Sequence, residues 1–222
     1  MQPFDRLKKE TEENQGYLYA APILDDVAAG RFDLNTYTGF LRNAYHHVRH
    51  TVPLMMACGS RLPERLRWMQ DSIKEYILEE FGHEQWILED LEACGVDSTE
   101  VVNSQPNFET ELLVSYVYDY VARVNPVGFF GMVHVLEGTS TAIATETARL
   151  AQEKLGLPDN AFHYLRSHGE LDQEHVVFFE NLINQLVDPE DLDALIHVAN
   201  RVFRLYGDVI QSASGGAIRH AA

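Results

Sequence analysis

The stretch PVGFFGMVHVLEGTSTAIATETARLAQEKLG, residues 126–156, decides the fold class of this chain. Its apolar residues recur with the period of a helix and do not alternate as they would in a half-buried strand. Pro126 stands at its start and Gly156 at its end, which are the places where helices favour these two residues. We therefore predict one long helix, and its apolar character indicates a place in the interior of an all-α domain.

Helical periodicity continues on both sides of this stretch, with Gly and Pro between the periodic segments. Pro53 lies inside one of them and should kink or divide it. No strands alternate with the helices and no linker divides the chain. We predict an all-α, single seven-helix bundle over residues 1–222, with a frayed tail from about residue 213 onward. The other six segments cover residues 4–15, 33–62, 63–95, 107–124, 159–186 and 189–213.

Composition narrows the class of function. The chain has 222 residues, 45% of them hydrophobic, which suits one domain with a sizeable core. A formal net charge of −17 and the lack of a basic run argue against nucleic acid and anionic membranes as partners. The N-terminal residues lack the apolar part of a secretory signal, and no uninterrupted apolar run approaches the roughly 18 to 20 residues of a membrane span. We expect a cytoplasmic protein.

Cys58 and Cys94 form no CxxC pair, so a disulfide framework or a cysteine zinc site is not indicated.

The first candidate for chemistry is SHGELDQEH, residues 167–175, which holds His168, Asp172 and His175. Positions i, i+4 and i+7 of a helix fall within an arc of about 60°, so the three side chains point the same way. Imidazole and carboxylate together suit Fe, Mn or Zn better than Mg or Ca. The alternative is a solvated polar face.

The second candidate is EYILEEFGHEQW, residues 75–86, where Glu80 and His83 form the Glu-x-x-His spacing of carboxylate-bridged di-iron bundles. Glu79, four residues before His83, is a rival for the same role, and Tyr76 shares the face as a pocket residue. The helix is rich in Glu, so an ordinary charged surface is the alternative.

The third candidate is Glu137, which sits among Val, Phe, Met, Leu and small residues. A buried carboxylate costs several kcal/mol unless a cation or hydrogen-bond donors offset the cost. A metal would supply that cation, and an Arg partner is the alternative. His134 shares the same face and is either a pocket residue or a hydrogen-bonded core residue.

These three segments together offer three carboxylates and three imidazoles, which is the inventory of a two-metal site. A fourth group consists of His46, His47 and His50. His46 and His50 lie on one helical face, and His47 points about 100° away from His46. We interpret these histidines as pocket lining, with an extra ligand or a subunit contact as alternatives.

The segments EEFGHEQW, VGFFGMVHVLEG and HGELDQEH resemble the heme-oxygenase-like di-iron oxidases. That group shares a seven-helix fold with heme oxygenase, the thiaminase-like TenA proteins and pyrroloquinoline quinone synthase, and the resemblance covers about residues 35 to 210. It implies five metal ligands, which are His83, Glu137, His168, Asp172 and His175. Glu80 fits one arrangement of the sixth ligand, with Glu79 as a substitute and His47 as an extra ligand.

The resemblance also implies an activity. It suggests a non-heme di-iron oxidase or oxygenase in which two iron ions and O2, as co-substrate, oxidise a small amino-acid- or fatty-acid-derived substrate. His83 would belong with one iron and His168, Asp172 and His175 mainly with the other, with Glu80 or Glu137 bridging. We expect a homodimer. The alternatives are a metal-free TenA-like or quinone-synthase-like relative, a heme-binding relative, and a non-catalytic binding protein of the same fold.

Overall fold

Every regular element in the described part of the chain is helical, which confirms the all-α prediction. The computed structural model describes residues 1–214, apart from the side chains of residues 170–174. Within that range lie eleven α-helices, joined in places by short 3-10 turns at Glu64–Leu66, Pro126–Gly128 and Asp159–Ala161. The helices are α1 (Pro3–Tyr19), α2 (Pro22–Ala28), α3 (Leu34–Val48), α4 (Thr51–Arg61), α5 (Met69–Glu80), α6 (His83–Ala93), α7 (Ser98–Val102), α8 (Phe108–Arg123), α9 (Phe129–Leu155), α10 (His163–Ile183) and α11 (Pro189–Ser212).

The number of helices exceeds seven for two reasons. The short helices α2 and α7 were not among the predicted segments, and two predicted segments are each divided in two. The first division lies between α3 and α4, so that Pro53 falls in the first turn of α4, where a missing backbone N–H removes no helical hydrogen bond. The second lies at Phe81 and Gly82, between α5 and α6.

Side-chain caps fix where several helices begin. Asp33 accepts a hydrogen bond from the backbone N–H of Thr36 at the start of α3, and Asn107 accepts one from Thr110 at the start of α8. Each cap satisfies one of the backbone donors that an α-helix leaves without a partner in its first turn. The predicted segments 33–62 and 107–124 therefore begin at the residues that cap α3 and α8.

Helix α9 lies at the centre of the bundle, where it packs along α10 and α11. The crossing with α11 is close: a Cβ atom at Gly131 would lie 2.5 Å from the carbonyl oxygen of Leu195. By length and composition alone the segment Pro126–Leu155 could span a membrane, but 56% of its most apolar window is buried inside the fold. The segment is thus accounted for as a core helix.

The packing sets four chain segments around one region. Helix α10 lies against both α9 and α6, and α6 follows α5 after a break of two residues. Five candidate ligands on these helices are thereby brought into one neighbourhood, which are Glu80, His83, Glu137, His168 and His175.

Candidate metal centre

The joint between α5 and α6 places a carboxylate beside an imidazole. Glu80 is the last residue of α5 and His83 the first of α6. Gly82 between them has φ of +94°, a left-handed conformation that side-chain-bearing residues rarely adopt. The resulting turn brings Nδ1 of His83 to 3.1 Å from Oε2 of Glu80, with both residues buried.

Two groups of ligand atoms meet at Glu80. In one group, Glu80, His83 and His168 offer donor atoms that all lie within 4.8 Å of one another. In the other, the same is true of Glu80, Glu137 and His175. Glu80 belongs to both groups, so the described residues form two three-residue sets joined by one carboxylate.

The two histidines of α10 are divided between these sets, in contrast to the expectation that both lie mainly on one side. His168 joins His83, whereas His175 joins Glu137. The physical reason is the rise of the helix, because residues seven positions apart are two turns, or about 10 Å, apart along the axis. Such residues share a face but reach different points along it.

His175 has a carboxylate near each ring nitrogen. Its Nε2 lies 2.9 Å from Oε2 of Glu79, and its Nδ1 lies 3.6 Å from Oε1 of Glu137. The two carboxylates differ in exposure, since the side chain of Glu79 is 55% exposed and that of Glu137 is 12% exposed. Glu79 therefore lies on the solvent side of the imidazole and Glu137 on the interior side.

The charge state of Glu80 follows from its neighbours. Burial on its own would raise its pKa. The hydrogen bond with His83 lowers the pKa, and so do the positive charges of His168, His83 and His175 when these are protonated. Together these interactions outweigh burial and hold the pKa of Glu80 below its usual value. A buried carboxylate kept ionised in this way is suited to a cation.

Aromatic rings fix the orientation of the imidazoles. Trp86 stacks on His83, with ring centroids 3.9 Å apart, and Tyr164 lies against His168 at 4.8 Å. Tyr76, which is buried, meets His175 edge-on at 5.9 Å. No role was predicted for Trp86 or Tyr164 from the sequence. Each lies three or four residues from a candidate ligand on the same helix, and this spacing places side chains next to each other.

Two cavities adjoin the ligand groups. The metal-side cavity is lined by Glu80, Glu137, His168 and His47 together with mainly apolar residues of α4 and α9. The apolar cavity lies between α2, α3, α9, α10 and α11 and is lined mostly by aliphatic and aromatic side chains. Both cavities share four lining residues, which are Ser140, Tyr164, His168 and Tyr206.

The remaining predicted residues fall in different places. His47 lines the metal-side cavity, whereas the Nε2 atom of His46 lies 2.9 Å from the hydroxyl of Ser104. His134 does not line either cavity among the described residues; its ring instead packs against three phenylalanines, Phe4, Phe179 and Phe203. Asp172 lies outside the residues whose side chains the structure describes.

The donor set fits iron. Carboxylate and imidazole ligands suit Fe and Mn, and the two groups have one carboxylate, Glu80, in common. Five predicted ligands contribute to this neighbourhood, which are Glu80, His83, Glu137, His168 and His175.

Comparison of the fold with solved structures gives the class. A domain of unknown function with a heme oxygenase-like fold from Shewanella denitrificans is 22% identical, with a TM-score of 0.83 and coverage of 99% of this chain and 98% of that one. Heme oxygenase-1 from Synechocystis, solved with heme, is 13% identical (TM-score 0.77; 97% and 93% covered). A TenA homologue from P. horikoshii is 12% identical (TM-score 0.74; 98% and 100% covered). The fold is heme oxygenase-like.

The sequence gives the family. The chain belongs to the iron-containing redox enzyme family, whose profile matches residues 38–207. None of the curated proteins matches the chain. The matched segment runs from α3 to α11 and includes all the candidate ligands and most of the residues that line the two cavities.

Proposed function

We propose that this protein is a non-heme di-iron oxidase or oxygenase that uses O2 to oxidise a small organic substrate. The observation that carries the proposal is Glu80, a buried carboxylate common to two groups of ligand atoms. Two bound Fe(II) ions would supply two electrons to O2, oxidation of the substrate would supply two more, and an external reductant would restore the Fe(II) state. His83 and His168 would hold one ion, Glu137 and His175 the other, and Glu80 both.

The protein itself supplies orientation and a dry site. Trp86 and Tyr164 hold the rings of His83 and His168 in place, and the metal-side cavity is walled by apolar residues such as Met132 and Val133. Restricting side-chain motion around ligands raises metal affinity, and excluding water protects reactive species from side reactions.

His47 is a neutral polar group on the wall of the metal-side cavity. Burial lowers its pKa to about 4, and its Nδ1 lies 2.9 Å from the carbonyl oxygen of Asn43, so Nδ1–H donates to that carbonyl. The other ring nitrogen, Nε2, then carries a lone pair at neutral pH. His47 is therefore suited to accept a hydrogen bond from a substrate or from water.

The apolar cavity supports a fatty-acid-derived substrate over an amino-acid-derived one. Its described lining contains no Lys, Arg, Asp or Glu, so an amino acid would bury an ammonium and a carboxylate there without partners. An alkyl chain needs only apolar walls, which Ile23, Phe40 and Ile143 provide among others. The polar end of such a chain would lie at the shared residues, close to His168.

Iron content after anaerobic loading with Fe(II) and desalting tests the proposal. We expect about two irons per chain in the parent and fewer in His168→Ala. His197→Ala, which changes an exposed histidine outside both cavities, should match the parent. With a chemical reductant present, fatty acids of graded chain length should then stimulate O2 consumption by the loaded parent. A parent that retains no iron would contradict the proposal. A Soret band on adding hemin would indicate a heme-binding protein instead of a non-heme iron enzyme.

A further inference from the structure

The apolar cavity follows one face of α9. Ser140, Ala144, Thr147 and Ala151 all line it, and these four positions fall within an arc of about 60° on the helix. At about 1.5 Å per residue, the helix advances about 16 Å along its axis from Ser140 to Ala151. The cavity therefore extends lengthwise along about three turns of α9.

The two ends of the cavity differ in polarity. The end that adjoins the metal-side cavity holds the four shared residues, each of which carries a hydroxyl group or an imidazole, and these are Ser140, Tyr164, His168 and Tyr206. Ala151 marks the other end on α9. The polar end is thus the one that meets the candidate centre, and the apolar end lies three turns away from it.

Buried side chains close the apolar end. Ala151, Tyr37 and Leu165 line the cavity, belong to one hydrophobic cluster and are 1%, 4% and 5% exposed. The hydroxyl of Tyr37 donates a hydrogen bond to the carbonyl oxygen of Ala161, at 2.6 Å, and its ring stacks on Phe162. The polar atom of Tyr37 is therefore paired, and a chain that extends from the centre meets an apolar wall here.

We propose that the apolar cavity limits the length of the substrate. It holds an alkyl chain with the polar end at Ser140 and the methyl end at Ala151, and Thr147 and Ala151 set the longest chain that fits. This inference rests on the proposed function and adds a limit to it. With carbon–carbon bonds of about 1.5 Å and tetrahedral angles, an extended chain advances about 1.25 Å per carbon, so about 16 Å accommodates about 12 or 13 carbons.

Affinity should depend on chain length in two regimes. Each methylene group buried in the cavity should raise the affinity roughly threefold to fourfold, because apolar surface leaves water. Once the methyl end reaches Ala151, further carbons find no space beyond the wall. The affinity should then stop rising, and the chain length at which it stops is the limit.

Substitutions on the same face of α9 should move this limit by known amounts. A helical side chain covers the turn N-terminal to its own Cα, so Ala151→Phe fills about one turn of roughly 5.4 Å and should lower the limit by about four carbons. Thr147→Phe lies one turn nearer Ser140 and should lower the limit by about eight carbons. Ala142→Phe is the matched control, because Ala142 is exposed on α9 and is not in the lining described for either cavity.

The experiment is isothermal titration of the metal-free, full-length protein with saturated fatty acids of roughly 6 to 16 carbons, a range that brackets the expected limit. Each acid is kept below its critical micelle concentration. The carboxylate is the same throughout the series, so the change in affinity per carbon reports on the cavity alone. Each limit compares acids on one protein. A partly unfolded sample therefore lowers every affinity alike and leaves the limit in place.

Two results would overturn the inference. An affinity that rises through the longest acid, or the same limit in all four proteins, would show that the chain does not lie along α9. No binding of any acid to the parent would remove the alkyl chain as the occupant of the cavity. Iron content is measured separately. A parent that keeps two irons and binds no acid leaves the metal centre standing, whereas a parent that keeps no iron and shows the ordered limits supports the inference without the proposed oxidation.

Discussion

Replacing Asp90 by Asn should change how the stability of the protein depends on pH. Asp90, on α6, is fully buried, and its two carboxylate oxygens accept hydrogen bonds from the backbone N–H groups of His163 and Tyr164 at 2.9 and 3.0 Å. It thereby caps the first turn of α10, the helix that carries His168 and His175. Burial raises its pKa from 3.8 to about 6, although these two hydrogen bonds oppose that rise.

The sign follows from proton linkage. A carboxyl group whose folded-state pKa is raised binds protons more readily in the folded protein, so its contribution to stability is full below about pH 3.8 and is lost as pH rises through about 6. A shift of about two units corresponds to about 3 kcal/mol in total. About half of that, roughly 1.4 kcal/mol, falls between pH 5 and pH 7.5.

Urea unfolding of the parent and Asp90→Asn at several pH values between 5 and 7.5 measures this effect. The free energy of unfolding of the parent, taken relative to the variant, should fall by about 1 to 2 kcal/mol across that range. Asp71→Asn, which changes an exposed residue of α5, should show no such trend. A parent-minus-variant difference that stays constant or rises with pH would refute the reasoning, because the carboxylate would then be as stable ionised inside as in water.

Three further predictions concern the centre and its cavity. Glu80→Ala removes the carboxylate common to both groups and should abolish both metal sites in a dialysis measurement. His83→Ala should abolish only one site. Equal losses in the two variants would count against a shared ligand. Gly82→Ala places a side-chain-bearing residue at a φ of +94°. The change should lower the free energy of unfolding by about 1 to 2 kcal/mol and weaken iron retention. An unchanged melting temperature would contradict this prediction. Ala144→Trp fills the apolar cavity. It should suppress the O2 consumption that long-chain fatty acids stimulate, while the iron content stays at the parent level. Unimpaired turnover of the longest chains would place the substrate elsewhere.

Local spacing was enough to predict much of the fold and part of the centre. Helical periodicity and caps such as Asn107 depend on residues a few positions apart, so the all-α class and several helix starts could be predicted from the sequence. The contact of Glu80 with His83 is also local, but a turn at Gly82 makes it and not the spacing within one helix from which it was predicted. The two short helices and the break at Gly82 were not predicted, although Pro22, the Asp97 cap and Gly82 itself are local signals of a helix start or a break.

What could not be predicted depends on contacts between distant segments. Whether Glu80 or Glu137 is common to both ligand groups depends on how α9 lies against the end of α5, and no spacing within one helix contains that information. His134 and Glu137 are three residues apart on α9, yet Phe4 of α1 covers the first and the metal-side cavity meets the second. A helix surrounded by neighbours presents several buried faces, and only tertiary packing decides which one meets the site.

The position of His168 has a thermodynamic consequence. Its imidazole is at once a wall of the apolar cavity, a wall of the metal-side cavity and a member of one ligand group. A molecule that occupies the apolar cavity and an ion held by His168 therefore contact the same side chain. If binding at one place changes the affinity at the other, the reverse experiment must give the same factor. The iron content that tests the proposed function should therefore be measured with the apolar cavity filled as well as empty.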